Sequence, residues 1–219
     1  MKLLSASADI CDRAIERGFA SACEGMTETE MAREIDMAFT QAGARHYFIT
    51  ISFGKKSANM PYPSDNTLKQ GDLIRFDGGC IYENYYSDLA RCAVLGEPTE
   101  KQERYYNAVL AGEKAAYSLI RPGAEVRSMF KAAVEEIRKQ GIPHYNRHHV
   151  GHGVGQEAYE PPLVSPVDFK LEEGMVLNIE TPYYELGFGG VQVEDTFLVT
   201  EDGYENLSSG ERELAVHES

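Results

Sequence analysis

Apolar side chains recur at helical spacing over residues 3 to 24: Leu4, Ala8, Cys11, Ile15 and Phe19 line one stripe, Leu3, Ile10 and Ala14 flank it, and no proline interrupts. Gly25-Met26 closes this predicted helix. Thr27-Glu28-Thr29-Glu30 then forms a capping box that opens a second, with Met31, Ile35, Ala38 and Phe39 on one face and Gly43 just past its end. The run Tyr47 to Phe53 (YFITISF) predicts a buried strand. Gly25, Met31 and Gly43 return as Gly123, Met129 and Gly141, each 98 positions later. A long helix precedes that second set, from about 99 to 120 behind a Thr99 cap, and Val126, Phe130, Val134 and Ile137 give the segment between the two glycines an amphipathic face. The pattern therefore predicts a duplicated helix-helix-strand unit; chance likeness of two helical stretches is the alternative.

Further apolar and aromatic runs predict strands that carry acids. Ile74, Phe76 and Ile81-Tyr82 surround Asp77, Tyr85-Tyr86 precede Asp88 eleven positions on, and Glu180 and Glu194 end the runs Leu177-Asn178-Ile179 and Val191-Gln192-Val193. A carboxylate in a half-buried strand is costly unless it is paired or holds a metal. Each acid alone reads as a cap or a hydrogen-bonded core residue. All of them together with His152, framed by Gly151, Gly153 and Gly155, form a set of oxygen donors plus one nitrogen. Such a set suits two divalent ions, Mn, Co, Fe or Zn. Of His144, His148, His149 and His152, only His152 sits in the glycine frame that permits close backbone approach; His148, four residues earlier, is expected to line the pocket.

The remaining stretches read as connections. Gly54 to Gly71, rich in Ser, Asn, Pro and Lys, is expected to arch over the site; Pro161-Pro162 and Pro166 predict a rigid loop; Glu172-Glu173-Gly174 turns into the strand of Glu180. Gly187, Gly189 and Gly190 lead into a last strand from Val191 to Thr200, and the polar tail after Asp202 is expected to fray.

A chain of 219 residues is long enough for one domain with a sizeable core, the organisation favoured here over two small ones. Its 21 basic against 35 acidic residues give a net charge of −14, which disfavours nucleic acid and anionic membrane as partners. No apolar stretch approaches the roughly 18 residues of a membrane span, and Met1-Lys2-Leu3-Leu4 lacks the apolar core of a signal peptide, so a cytoplasmic location is expected. Cys11, Cys23, Cys80 and Cys92 show no metal-binding spacing and read as small hydrophobes in a reducing compartment. Along a strand Cys80 and Asp77 point to opposite faces, which removes Cys80 from the ligand set.

The order Asp77-Gly78-Gly79, Ser87-Asp88-Leu89-Ala90-Arg91, Gly151-His152-Gly153-Val154-Gly155, Glu180-Thr181-Pro182 and Glu194-Asp195-Thr196 resembles the pita-bread family over nearly the whole chain. That family includes methionine aminopeptidase, aminopeptidase P, prolidase and creatinase. The resemblance implies an α+β fold, a curved antiparallel sheet covered by two helix pairs related by a pseudo-twofold axis, with the metals on its inner face. It further implies that Asp77 chelates one ion, that Asp88 and Glu194 bridge both, and that His152 and Glu180 complete the other. Glu180 would double as proton acceptor, and a metal-bridging hydroxide would cleave an amide bond.

The sequence departs from the peptidase pattern in the groups around those ligands. Counting back by the family spacing places the usual loop histidine at Asn59 or Met60, and no histidine lies between His46 and Asp77. The histidine that normally follows the metal-binding one by seven positions is replaced by Tyr159, in Tyr159-Glu160-Pro161. Gln192 stands where prolidases and aminopeptidases P place an arginine. A tyrosine hydroxyl can donate to an oxyanion or leaving group as an imidazole does, which favours an Xaa-Pro peptidase acting on small peptides, with Tyr159 and His148 beside the metals. The alternative is a creatinase-like C–N hydrolase or lyase acting on another small molecule. A binding protein without catalysis is disfavoured, because unmetallated clustered carboxylates repel one another. The chain begins directly at its first helix, without the separate N-terminal domain that prolidase-like members usually carry, which predicts either a short family member or an excised catalytic domain. The resemblance also implies a homodimer.

Overall fold

The computed structural model describes residues 1–59 and 62–217. Its order is α1 (Lys2–Ala20), α2 (Glu28–Gln41), β1 (Arg45–Phe53), a 3₁₀ turn (Gly54–Ala58), β2 (Leu73–Tyr82), β3 (Tyr85–Tyr86) and β4 (Leu89–Leu95). There follow α3 (Glu100–Tyr117), α4 (Val126–Lys139), β5 (Gly151–Gly153), β6 (Glu160–Leu163), β7 (Val176–Glu180), β8 (Tyr183–Glu185), β9 (Gly189–Val191), β10 (Glu194–Val199), β11 (Tyr204–Asn206) and β12 (Ala215–His217). The main sheet runs β1-β2-β4-β10-β7-β5-β6, with β3, β11 and β12 added beside β2, β10 and β4; β8 and β9 make a separate hairpin. Among the described residues no helix is long and apolar enough to cross a membrane.

The helices start where the sequence provides caps. Thr27 and Glu30, and equally Thr99 and Gln102, exchange side-chain and backbone hydrogen bonds as complete capping boxes at α2 and α3, each worth about 1 kcal/mol. Each helix pair closes on a glycine of its first member: a Cβ on Gly18 would lie 2.4 Å from Ile35, and one on Gly112 would lie 2.3 Å from Ile137. The apolar faces of α1 and α2 pack on Ile51, Phe53, Ile74, Phe76 and Leu89, while those of α3 and α4 pack on Leu177, Ile179, Phe197 and Val199. Because successive strand residues alternate faces, the acids at 77, 180 and 194 fall on the opposite, inner face.

Apart from the edge strand β6, the strand order reads the same from either end. β4 and β10 meet at its centre, flanked by β2 and β7, then by β1 and β5. Asp77 on β2 thereby corresponds to Glu180 on β7, and Asp88 just before β4 to Glu194 at the start of β10. The expected curved sheet and duplicated helix pairs are the observed architecture.

Several boundaries differ from the sequence reading. The first helix stops at Ala20 instead of 24, and β1 is buried only in its second half. The proline-rich stretch at 161–162 is not a loop but the short edge strand β6, paired with β5, a position where proline's missing N–H costs no ladder bond. The run after Gly187 splits into β9 and β10. As far as His217 the tail is paired and not frayed: β11 pairs with β10, and β12 lies parallel to β4. Buried charge fixes it there. Arg91 donates to Asp195 at 2.6 Å and to the Glu211 carbonyl at 3.0 Å, Arg212 donates to Asp195 at 2.6 Å, and the Ser209 amide donates to Asp12 at 2.7 Å.

The stretch from Gly54 to Gly71 also goes elsewhere than expected. None of its described residues lines the acid-bearing cavity. Its described residues fold down onto the start of α2, where the buried Glu28 carboxylate accepts from the Phe53 and Ser64 amides, Lys56, the Ser64 hydroxyl and Asn66.

Candidate active site

Strand register sets the positions of the candidate ligands. Asp77 lies opposite Ala90, Ala90 opposite Glu194, and Glu194 opposite Glu180, so one row crosses four strands with three carboxylates and one methyl group. Directly opposite residues share a face. The small Ala90 leaves room between Asp77 and Glu194, and Asp88, two residues earlier, enters on the same side. On the far side His152 lies opposite Asn178, whose amide donates to the Asp88 carbonyl at 3.1 Å. Gly151 makes that approach possible: its φ is +144°, and a Cβ there would lie 2.1 Å from the Asn178 oxygen.

Asp77, Asp88, His152, Glu180 and Glu194 all line one cavity of ≈ 290 Å³, together with Tyr47, Phe48, Arg147, His149, Tyr159 and Tyr184. Ligand atoms of Asp88, His152 and Glu194 lie within 4.8 Å of one another. The Nδ1 of His152 is 2.9 Å from the Gly153 carbonyl. A carbonyl only accepts, so Nδ1 carries the proton and Nε2 offers a lone pair. That Nε2 stands 3.8 Å from Glu194 Oε1 and 4.0 Å from Asp88 Oδ2. Asp88 Oδ1 and Glu194 Oε1 are buried with no hydrogen-bond partner. Unpaired buried acceptors beside a neutral imidazole are what a divalent cation satisfies, so the residues fit the metal their chemistry implies.

Electrostatics agrees. Burial, reinforced by the neighbouring acids, pushes the Asp88 and Glu194 carboxyls well above the usual range; burial also raises Asp77 against the pull of Arg75. Burial pushes Glu180 up to about 7, with Arg147 opposing and Asp77 adding to the shift. His152 is lowered by burial, and His149 is held down to about 4 by burial and then by Arg147.

A stability prediction follows from Glu180. Its carboxyl titrates near 4.5 in the unfolded chain and near 7 in the metal-free fold. Between those values the folded state binds more protons, so this group's contribution to stability falls as pH rises. His149, neutral in the fold down to about pH 4 against an ordinary 6.5, pulls the other way at acid pH. A difference between two proteins therefore reports Glu180, and relief of Asp88 and Glu194, which its charge also raises, adds to that difference with the same sign. Metal-free Glu180→Gln, compared with wild type by denaturant unfolding, should gain on the order of 3 kcal/mol more at pH 8 than at pH 4.5. Equal differences at the two pH values would contradict a raised Glu180.

Tyr159 reaches the cavity as its place in the sequence predicted, its ring stacked on His152 at 3.6 Å and 19°. Asn59 is exposed and does not line the cavity; its carbonyl accepts from Arg75 at 3.0 Å. Met60 lies outside the described residues. His148 is a correction: it is exposed and absent from the lining, while Arg147 and His149 on either side of it face in. The chain bends at His148, and the two-residue spacing from Arg147 to His149 is the only sequence signal that favours them. Cys80 packs beneath α1 with Ser7 and Ser87, away from the acids.

Arg75 was not singled out in the sequence. It is 0% exposed. Its guanidinium donates to the Ser57 carbonyl at 3.2 Å, the Asn59 carbonyl at 3.0 Å and Gln192 Oε1 at 2.9 Å, and lies 3.6 Å from Asp77 Oδ2. Gln192 also accepts from the Tyr184 hydroxyl at 3.1 Å. A cation thus sits behind Asp77 even though position 192 carries a neutral side chain.

Comparison with known proteins gives concordant results. The family described as metallopeptidase family M24 matches residues 2–201. The Xaa-Pro dipeptidase of Pyrococcus furiosus is 36% identical over 98% of this chain and 63% of its own length. The crystal structure of the prolidase from Pyrococcus horikoshii OT3 superposes with a TM-score of 0.93 at 36% identity, over 97% of this chain and 62% of that one. The dipeptidase PepE from Mycobacterium ulcerans superposes with a TM-score of 0.95 at 30% identity, over all of this chain and 60% of that one. The chain therefore spans about three fifths of the length of these relatives.

Proposed function

Since the chain belongs to metallopeptidase family M24, we propose that it is the catalytic unit of an Xaa-Pro dipeptidase that hydrolyses the amide bond of a small peptide at a two-metal site. The observation that carries this reading is the row Asp77–Ala90–Glu194–Glu180, flanked by Asp88 and His152, with buried carboxylate oxygens left unpartnered. Asp77 would hold one ion and His152 with Glu180 the other, Asp88 and Glu194 serving both. The donor set suits Mn, Co, Fe or Zn. Such ions supply a nucleophilic water at neutral pH and polarise a carbonyl.

The chain's own groups do the rest. Glu180, pushed up to about 7 in the protein alone by burial, is matched to taking a proton from the attacking water and returning it to the leaving nitrogen. Tyr159, its phenol raised by burial and then by Glu180 and the other acids, stays protonated and can donate to the developing oxyanion or leaving group. The aromatic rings of Tyr47, Phe48, Tyr159 and Tyr184 bound the cavity and limit water around the reacting bond. The family resemblance supports a homodimer as part of the same proposal.

Metal-loaded protein should cleave an Xaa-Pro dipeptide, and Tyr159→Phe should lower its kcat by about 10²-fold, the effect of losing one transition-state donor. Product formation followed by chromatography checks both. Inertness of a fully metallated sample across Xaa-Pro and other dipeptides would overturn the reading in favour of a small non-peptide C–N substrate.

A further inference from the structure

The seam between the two halves of the sheet is the narrowest part of its ladder, and the two acids that would serve both ions stand on it. β2 and β4 pair through six residues and β10 and β7 through five, whereas β4 and β10 pair, among the described residues, only at Ala90 and Glu194. Glu194 belongs to that pair, and Asp88 precedes it by two residues. Any shift of one strand past the other at this point changes the distance between the two carboxylates directly.

Arg91 closes the seam from behind. It lies opposite Phe76, hence on the outer face of the sheet, and is 4% exposed. All five N–H groups of its guanidinium are taken up at the junction. Nη1 donates to the Ala90 carbonyl at 2.9 Å and to the Glu194 carbonyl at 2.7 Å, one from each strand. Nη2 donates to Asp195 Oδ1 at 2.6 Å and to Asp12 Oδ1 of α1 at 3.3 Å, and Nε donates to the Glu211 carbonyl of the tail at 3.0 Å. The two aspartates compensate the charge and hold the fork in place while it grips both strand backbones. A lysine ammonium carries three donors on one atom and cannot span these five acceptors.

We propose that Arg91 is a positioning residue for the metal centre: it fixes β4 against β10 so that Asp88 and Glu194 face the same cations, although it does not itself line the cavity. This rests on the metal-site part of the reading above and does not depend on the peptide substrate. Arg212 provides the comparison. Its Nε donates to the other Asp195 oxygen at 2.6 Å, in the same buried cluster, but among the described residues it donates to no strand carbonyl. Loss of either arginine disturbs the cluster and the tail; only loss of Arg91 frees the seam.

The test titrates metal-free protein with Mn by calorimetry and records the visible absorption of Co-loaded protein, with no peptide present. Arg91→Lys keeps a charge in the cluster and should lower Mn affinity by about 10- to 100-fold, the cost of losing a partner that orients metal ligands; its Co absorption bands should change as well. Arg212→Lys should match wild type in both measurements, even where its unfolding midpoint in denaturant falls as far as that of Arg91→Lys. In metal-saturated protein Arg91→Lys should lower the dipeptide kcat with KM little changed. Should Arg91→Lys not fold, the double variant Arg91→Gln with Asp195→Asn removes one charge of each sign and carries the same expectation. Wild-type Mn affinity and an unchanged Co spectrum in the Arg91 variant overturn the proposal, and so does an equal loss of affinity in Arg212→Lys, since the effect would then be one of stability. Wild-type protein that takes up no metal would end the metal-site reading and this inference together. Metal loss specific to Arg91→Lys, in a protein inert toward every dipeptide, would uphold this inference and remove the peptidase reading.

Discussion

Asp88→Ala should empty the metal centre and abolish turnover together, and should make the metal-free protein more stable at alkaline pH. Asp88 sits where the central strands β4 and β10 meet, with one oxygen unpartnered and its ligand atoms within 4.8 Å of those of His152 and Glu194. Without a cation it is a buried carboxyl facing Asp77 and Glu180, and burial followed by those two charges raises it well above its ordinary value. Alanine relieves that repulsion, so at pH 8 the metal-free variant should unfold at higher denaturant than metal-free wild type. With metal the order reverses, because wild type gains binding energy that the variant cannot. Hydrolysis should fall by more than the roughly 100-fold that loss of a ligand-orienting partner costs. Elemental analysis together with paired unfolding curves checks this; about two ions per chain in the variant, on the two-metal reading, would refute the assignment.

Glu180→Gln separates proton transfer from metal retention. The amide keeps an oxygen toward the cavity but cannot accept a proton, so kcat should drop by about 10² to 10⁴, the range for one general acid-base group. Asp77, Asp88, His152 and Glu194 remain, and metal content at saturating Mn should stay well above that of Asp88→Ala. Because Glu180 also accepts from Arg147 at 3.4 Å, circular dichroism should accompany the kinetics to show an intact fold. A metal-replete Glu180→Gln protein turning over at the wild-type rate would remove Glu180 from proton transfer.

These experiments concern residues that were legible in the chain, and the reason is local. Alternation placed Asp77 opposite in face to Phe76, and Glu180 opposite in face to Ile179, while capping boxes at Thr27 and Thr99 fixed where two helices begin. Glycines around His152 marked a close backbone approach, and the structure supplies it at Gly151. Each of these signals lies within a few residues of the group it describes.

What tertiary structure decided is non-local. The row from Asp77 through Ala90 and Glu194 to Glu180 depends at its centre on the pairing of Ala90 with Glu194, more than a hundred residues away in the chain, which no periodicity encodes. The direction of the 54–71 segment was set by the Glu28 carboxylate, and the course of the tail by Arg91, Asp12, Asp195 and Arg212; both are buried polar clusters whose partners must be found across the fold. Arg75 behind Asp77 and Arg147 beside Glu180 belong to the same class. The sequence alone pointed to the side chains that line the candidate site, because pattern and motif report the face of an element on which a residue lies. Which charges meet there, His149 and Arg147 inward with His148 outward among them, was decided by packing, because a buried charge is fixed by the partner that compensates it and not by its neighbours in the chain.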